Sequence, residues 1–330
     1  MPRRYFAILS VLIALTFGMA ARAQDMPLDA AEDAKFTQWV EQFKARAVAQ
    51  GVSQRVVDEA FTGLTLDTEV IALDRKQPEN KVTLARYLHN TISNRRIEKG
   101  RQMLADHADA LAAISKQYGV QPQYIVALWA IESDYGDHKG DFSVVQSLAT
   151  LAYEGRRAEF FSNELIDALK ILDAEHLHSD ELTGSWAGAM GDCQFMPSTY
   201  LNYAVDASGD GKRDIWNNPA DVFASIANYL HSLGWNPQEN WGRAVTLPKK
   251  YHLRSDSIKH GHSGNFWRKQ GLVYVGGGHP DGPTNLYAIY AGTPGEQAYL
   301  ITDNYKALLQ WNRSRYFATA VGTLADAIGE

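Results

Sequence analysis

Glu132 is an acidic residue in apolar surroundings, Leu128-Trp129-Ala130-Ile131-Glu132-Ser133-Asp134-Tyr135-Gly136. A carboxylate in such a place is costly to bury as an anion. Desolvation raises its pKa and keeps it protonated near neutral pH, the state that donates a proton to a departing oxygen. The plainer alternative is a helix-surface glutamate on an amphipathic segment. About fifty residues later a small-residue stretch, Gly184-Ser185-Trp186-Ala187-Gly188-Ala189-Met190-Gly191, leads into Gln194-Phe195-Met196-Pro197-Ser198.

A second group of chemistry-bearing residues is Asp206-Ala207-Ser208-Gly209-Asp210-Gly211-Lys212. Oxygen side chains alternate, with glycine for a sharp turn, as in the first half of an EF-hand calcium loop. Asp206, Ser208 and Asp210 take the first, third and fifth positions, and the Lys212 carbonyl is the backbone donor. Asn217 stands where a full loop has glutamate; Asp221, four residues on, closes the cage if the loop is longer. The alternative is an Asx-rich surface turn. So few carboxylates imply weak calcium affinity, with Kd about 10⁻⁴ to 10⁻³ M.

The elements that must position these groups are mostly helical. Apolar residues recur at three- and four-residue spacing from Asp33 to His107, as in Phe36, Trp39, Val40 and Phe43. Ser53 is a predicted N-cap after the Gly51 break. One helical stretch is predicted from about Val82 to Ala108. Pro122 suits the first turn of the helix carrying Glu132, which Gly136 ends or bends. Phe160–Leu172 and Asp221–Leu233 are further amphipathic helices. From about Arg243 the texture changes: Ala244–Leu247 and Tyr287–Tyr290 read as strands, and Gly292-Thr293-Pro294-Gly295 is a turn returning through Ala298–Ile301.

Other motifs fall short. Gly276-Gly277-Gly278 lacks the spacing of a phosphate-binding loop. Gly261-His262-Ser263-Gly264 is followed by Asn265, where a nucleophile elbow needs glycine. The histidines show no zinc-enzyme spacing, and no internal repeat stands out. Cys193 is the single cysteine, which rules out an internal disulfide and reads as a small buried residue.

Composition and the first residues set the compartment. The chain is 45% hydrophobic and 21% charged over 330 residues, enough for a large core and two or three domains. Arg3 and Arg4 precede an apolar run from Tyr5 to Met19, and Ala21-Arg22-Ala23 supplies small residues for cleavage before Gln24. This pattern is a secretory signal peptide, and the run is short for a membrane span. The net charge of −6 becomes −9 when Arg3, Arg4 and Arg22 leave with the leader. A surface of that sign, with no basic patch to compensate, is a poor match for nucleic acid.

The motifs occur together in a known order. Ile131-Glu132-Ser133-x-Tyr135-Gly136, Ser147-Leu148-Ala149-Thr150-Leu151-Ala152-Tyr153, Arg156-Arg157, Gly184 to Gly191, Gln194 to Ser198 and the Asp206 loop are similar to those of the membrane-bound lytic murein transglycosylase B family. Asp74-Arg75-Lys76-Gln77-Pro78-Glu79 and Trp311-Asn312-Arg313-Ser314 extend the resemblance over nearly all of the mature length. It implies an α+β, predominantly α fold: a lysozyme-like core with a helical N-terminal domain and a small inserted β domain. On this sequence the parts are a signal peptide (1–23), a helical domain (24–107), a catalytic core with the EF-hand-like loop (108–242), a β-rich insert (243–303) and a C-terminal segment returning to the core (304–330).

The resemblance also implies roles. Glu132 matches the catalytic acid/base. Ser185, Gln194, Phe195, Tyr229, Trp311 and Asn312 match positions that line the glycan groove. Asp206, Ser208, Asp210, Lys212 and Asp221 match the calcium positions, with one extra residue before Pro219. The family has tyrosine at Trp311 and another that aligns with Phe317, beside Tyr316, so a stacking face survives while a phenol hydrogen bond is lost or moved. No lipid-attachment cysteine follows the leader, and no peptidoglycan-binding module is expected after Glu330.

The implied reaction uses one carboxylate where ordinary glycosidases use two. It cleaves the MurNAc–GlcNAc β-1,4 bond of peptidoglycan and leaves 1,6-anhydro-MurNAc ends. The implied partners are peptidoglycan glycan strands and cell-wall synthesis or remodelling proteins. Calcium is the only implied cofactor, with no organic one. The implied location is the periplasm, without a membrane anchor once the leader is cleaved. Asp134, two residues from Glu132, would point to another helix face. The alternatives are a lysozyme-like hydrolase using water and a non-catalytic glycan-binding scaffold.

Overall fold

Hydroxyl and carboxylate side chains start helix after helix in this chain. The computed structural model describes residues 30–76, 82–249, 251–254 and 257–330. The predicted leader, 1–23, and Gln77-Pro78-Glu79 lie outside the described residues. In chain order the elements are α1 (Ala30–Ala49), α2 (Gln54–Ala60), α3 (Thr68–Arg75), α4 (Leu84–Thr91), α5 (Asn94–Asp106), α6 (Ala108–Tyr118), α7 (Pro122–Ser133), β1 (Phe142–Ser143), α8 (Val144–Glu154), α9 (Ala158–Glu175), β2 (Thr183–Gly184), α10 (Pro197–Tyr203), α11 (Pro219–Ser232), β3 (Gly242–Thr246), β4 (His262–Ser263), α12 (Gly264–Lys269), β5 (Val273–Tyr274), β6 (Asn285–Tyr290), β7 (Ala298–Ile301), α13 (Asp303–Trp311) and α14 (Arg315–Gly329).

The caps explain where helices begin. Ser53 accepts the amide of Val56, as its position predicts, and Ser143 and Ser314 cap α8 and α14 in the same way. The stretch expected as one helix from Val82 to Ala108 is instead two, α4 and α5. Ile92 takes an extended conformation, and the Ser93 hydroxyl accepts the Arg96 amide at 3.2 Å to restart the helix. A serine cap inside a helical periodicity wins over the periodicity.

The described residues group into two compact units that interleave along the chain. One contains those of Ala14–Asn80 and Glu132–Ile226. Its centre is α8 against α9, with α10 and α2 also on α9 and α3 on α8. Leu148, Ala149, Phe161, Leu165, Ile166 and Leu169 are buried there. Ser53 ties α2 to α9 through both oxygens of Asp173, at 2.9 and 3.0 Å. Asp74 is buried between Arg156 and Arg157, at 2.7 and 3.0 Å.

The other unit contains the described residues of 81–131 and 227–330. In it α14 packs on α4, α5 and α13. A five-stranded antiparallel sheet, in the order β4-β6-β7-β3-β5, lies within this unit. The predicted strands and the β6–β7 hairpin are present, in the register Tyr290↔Ala298. Val245, Trp267, Leu272, Leu286, Ala288, Ala298 and Leu300 form the sheet's own core. No helix of the described residues is long and apolar enough to cross a membrane.

Candidate active site

Helix α7 is apolar on every face: Tyr124, Ile125, Val126, Ala127, Leu128, Trp129, Ala130 and Ile131 are all buried. Glu132 occupies its last turn and is partly buried. The helix stops at Ser133, three residues before Gly136. The next three residues are left-handed, with φ of 51° at Asp134, 65° at Tyr135 and 83° at Gly136. Each non-glycine residue in that region costs about 1–2 kcal/mol. The turn is closed on Ser133, whose hydroxyl accepts the Gly136 amide at 3.1 Å and whose carbonyl accepts the His138 amide at 2.8 Å. Asp134 therefore lies off the helix and is buried, rather than sitting on another helix face.

The small-residue stretch folds into a tight ladder beside β1 and β2. Ser185 donates its backbone amide to the Ala189 carbonyl at 2.7 Å and accepts that residue's amide on its hydroxyl at 3.0 Å. Met190 pairs in turn with Phe195, at 2.8 and 3.1 Å. Gln194 sits at φ 48° and donates its amide to the carbonyls of Lys139 and Gly191, at 3.0 and 2.9 Å. With the side-chain nitrogen committed there, Oε1 remains as an acceptor. Phe195 is only 2% exposed, so its ring fills the core. Cys193 is buried too, and its Sγ lies 3.6 Å from the Val222 carbonyl. Burial pushes its thiol well up, and the charges of Asp192 and Glu132 push the same way.

The Asp206 loop is organised by two carboxylates. Asp206 accepts the amides of Gly209 and Gly211, at 2.6 and 2.8 Å, and the Ser208 hydroxyl at 3.2 Å. These bonds, the Gly211 amide first, hold its carboxyl below the usual range. Asp221 is fully buried at the start of α11 and accepts the amides of Ala207, Ser208 and Asp214, at 2.9, 3.2 and 2.9 Å. Burial nevertheless raises its pKa. Asp210 accepts the Lys212 amide at 2.9 Å. Among the described residues no three His, Cys, Asp or Glu side chains gather as a metal-ligating group. A cavity of about 410 Å³ beside the loop is lined by Lys139, Glu175, Thr183, Tyr200, Arg213 and Trp216, among others.

The remaining predicted residues belong to the other unit. Tyr229, near the end of α11, is 4% exposed and faces Trp311, with ring centroids 5.0 Å apart and planes at 32°. Trp311 is partly exposed at the end of α13. Asn312 follows as the C-cap, and its Oδ1 accepts the Ser314 amide at 3.0 Å.

Residues 35–326 match the transglycosylase SLT domain. Membrane-bound lytic murein transglycosylase B of Escherichia coli (strain K12) is 32% identical over 277 residues, 80% of this chain and 74% of that protein. The chain belongs to the transglycosylase SLT family.

Solved SLT-family structures are similar in fold as well. SltB3 from Pseudomonas aeruginosa, in complex with NAG-anhNAM-pentapeptide or with NAG-NAM-pentapeptide, superposes with a TM-score of 0.84 at 41% identity, over 89% of this chain and 79% of that one. An Escherichia coli lytic transglycosylase in complex with calcium gives 0.73 at 28%, over 92% and 95%. This SLT chain is a lytic transglycosylase with a predominantly helical, lysozyme-like fold. Sequence reasoning missed Lys139 and Asp192, which meet at 3.4 Å behind the Glu132 turn. Neither stands at a spacing that would single it out.

Proposed function

We propose that this lytic transglycosylase cleaves the MurNAc–GlcNAc β-1,4 bond of peptidoglycan and leaves 1,6-anhydro-MurNAc ends, with Glu132 as the acid and then the base. The observation that carries the reading is a carboxylate at the end of an all-apolar buried helix, in a chain of this family. Protonated Glu132 gives its proton to the bridging oxygen as the bond from that oxygen to the MurNAc anomeric carbon breaks. The Glu132 carboxylate then takes the proton of the muramoyl C6 hydroxyl, whose oxygen bonds to the anomeric carbon. One proton is borrowed and returned, and no water is consumed. Attack from within the same sugar removes much of the entropic cost of recruiting a nucleophile. The complex of SltB3 with NAG-anhNAM-pentapeptide, a 1,6-anhydro sugar, supports this reading.

Glycan contacts follow from what each side chain has left to offer. Gln194 presents Oε1 to an amide or hydroxyl donor, and the Ser185 hydroxyl has a proton to give. Trp311 supplies a partly open ring face and Asn312 its amide nitrogen. Phe195, being buried, backs the Gln194 turn, and Tyr229, also buried, backs the Trp311 ring. The substrate places the enzyme outside the cytoplasm, reached by the leader cleaved after Ala23.

Calcium is proposed at the Asp206 loop. Asp206, Ser208, Asp210, the Lys212 carbonyl and Asp221 are all hard oxygen donors, and the lowered pKa of Asp206 keeps it anionic. A bound ion would neutralise these carboxylates and fix the loop, with no part in bond cleavage. Digestion of purified sacculi followed by mass spectrometry tests the reaction. Anhydro ends, lighter by one water, are expected; reducing ends would make the enzyme a hydrolase, and intact sacculi a binding scaffold.

A further inference from the structure

The turn that leaves Glu132 is held from outside by a second loop, Gly191–Gln194. The Asp192 carboxylate lies against Gly136 so closely that a methyl group on Gly136 would stand 2.7 Å from Oδ2. Gly136 itself is left-handed at φ 83°. Asp192 Oδ1 is 3.4 Å from the Lys139 ammonium, three residues further along the same turn. The Lys139 carbonyl is held by the Gln194 amide at 3.0 Å. The loop is itself anchored, because the Asp192 amide donates to the Ile215 carbonyl at 2.8 Å, and Lys139 Nζ donates to the carbonyl of Trp216. Asp192 is 5% exposed, so its charge is engaged inside the protein rather than solvated.

We propose that Asp192 and Gly136 are positioning residues for Glu132: the Asp192 carboxylate seats on the bare Gly136 backbone and on Lys139, and so holds the left-handed turn that fixes where the Glu132 side chain emerges. This rests on the reading of Glu132 as the acid/base. Two non-glycine residues in left-handed backbone do not persist without surroundings that over-determine them. Ser133 closes the turn from within; Asp192, Lys139 and Gln194 close it from outside. Glycine at 136 is then required by contact as well as by φ. A misplacement of about 1 Å at a catalytic group can cost about 10²-fold in rate. The brace therefore acts on turnover more than on glycan affinity.

The test is a double-mutant cycle with Gly136→Ala, Asp192→Ala and the pair, plus Asp192→Asn as a near-isosteric variant. Each is assayed for kcat and KM on purified glycan strands, and each is melted. Gly136→Ala and Asp192→Asn should each lower kcat by about tenfold or more, with KM changed less than about twofold. In the Asp192→Ala background the added methyl no longer meets a carboxylate, so Gly136→Ala should cost less than it does alone. Loss of activity in proportion to lost folded protein, an unchanged kcat in Asp192→Asn, or strict additivity of the pair would overturn the proposal. If Gly136→Ala does not fold, Asp192→Asn decides alone. Glu132→Gln run beside them separates the two readings: activity in that variant removes the acid/base assignment, whereas a dead Glu132→Gln with a fully active Asp192→Asn removes only the brace.

Discussion

Both oxygens of Glu164 are taken by one residue, Ser198: the backbone amide donates at 2.9 Å and the hydroxyl at 2.7 Å. Met196, the N-cap of α10, has no side-chain cap bond, so a glutamate from α9 caps the helix across 34 residues of sequence. Burial raises the Glu164 pKa above its ordinary 4.5. For a carboxyl raised in the folded state, the protein binds the proton more tightly than the unfolded chain. The stability this contributes is full below about pH 4.5 and is lost as pH rises through the native pKa. Glu164→Gln should flatten that decline. Glu164→Ala should cost roughly 1–3 kcal/mol by stranding the Ser198 donors. Urea unfolding across pH 4 to 8 reads both.

Glu132→Gln keeps the shape of the side chain and removes the transferable proton. Turnover of purified peptidoglycan should fall by at least about 10²-fold, with circular dichroism and melting temperature unchanged. Near-normal activity would defeat the acid/base assignment.

Calcium should stabilise the protein through the Asp206 loop. At a hundredfold excess over Kd the gain is about 2.7 kcal/mol. Melting with millimolar calcium and again with chelator should give separate transitions. Identical curves would mean that the loop is only an Asx-rich turn.

Tyr229→Phe keeps the ring that packs on Trp311 and removes the hydroxyl. Melting should hardly change, while kcat/KM falls. Full activity in this variant would show that the hydroxyl has no polar role. Trp311→Ala, by contrast, gives up an aromatic pair worth about 0.5–1.5 kcal/mol beyond the area buried, and should lower both stability and glycan affinity.

Gly322 in α14 lies under Trp241, where an added methyl would come within 2.2 Å of the indole ring. Trp241 cannot swing away freely, because its indole nitrogen donates to Asp326 at 2.8 Å and its ring lies near Tyr305. Gly322→Ala should therefore destabilise by about 1–3 kcal/mol despite alanine's better helix propensity. Differential scanning calorimetry measures it.

Much of this architecture is written locally. Pro122 and the apolar run to Ile131 announce a buried helix, Ser53 announces its cap, and Gly292–Gly295 announces the β6–β7 hairpin. These signals lie within a few residues of what they specify. The rest depends on partners far away in sequence. The left-handed turn at Asp134 and Tyr135 is closed from within by Ser133, but its outer contacts, Asp192 at Gly136 and Gln194 at the Lys139 carbonyl, come from far along the chain. Asp221 is recognisable as an acidic residue near the loop, but its role as acceptor for three loop amides needs the fold to bring the chain back. The Ile92–Ser93 break rests on the Ser93 hydroxyl, whose cap on the Arg96 amide wins over the helical periodicity on either side of it.

The pairing of Gly242 with Ile301, where β3 and β7 lie side by side, puts the entrance and exit of a nearly sixty-residue segment next to each other. Seen from the helices that flank it, the whole sheet is a loop whose ends are already closed. Its length can then vary at little cost to the rest, since the entropy of closure grows only slowly with length. The segment is thus a place where the chain can be lengthened or shortened between two ends that stay paired.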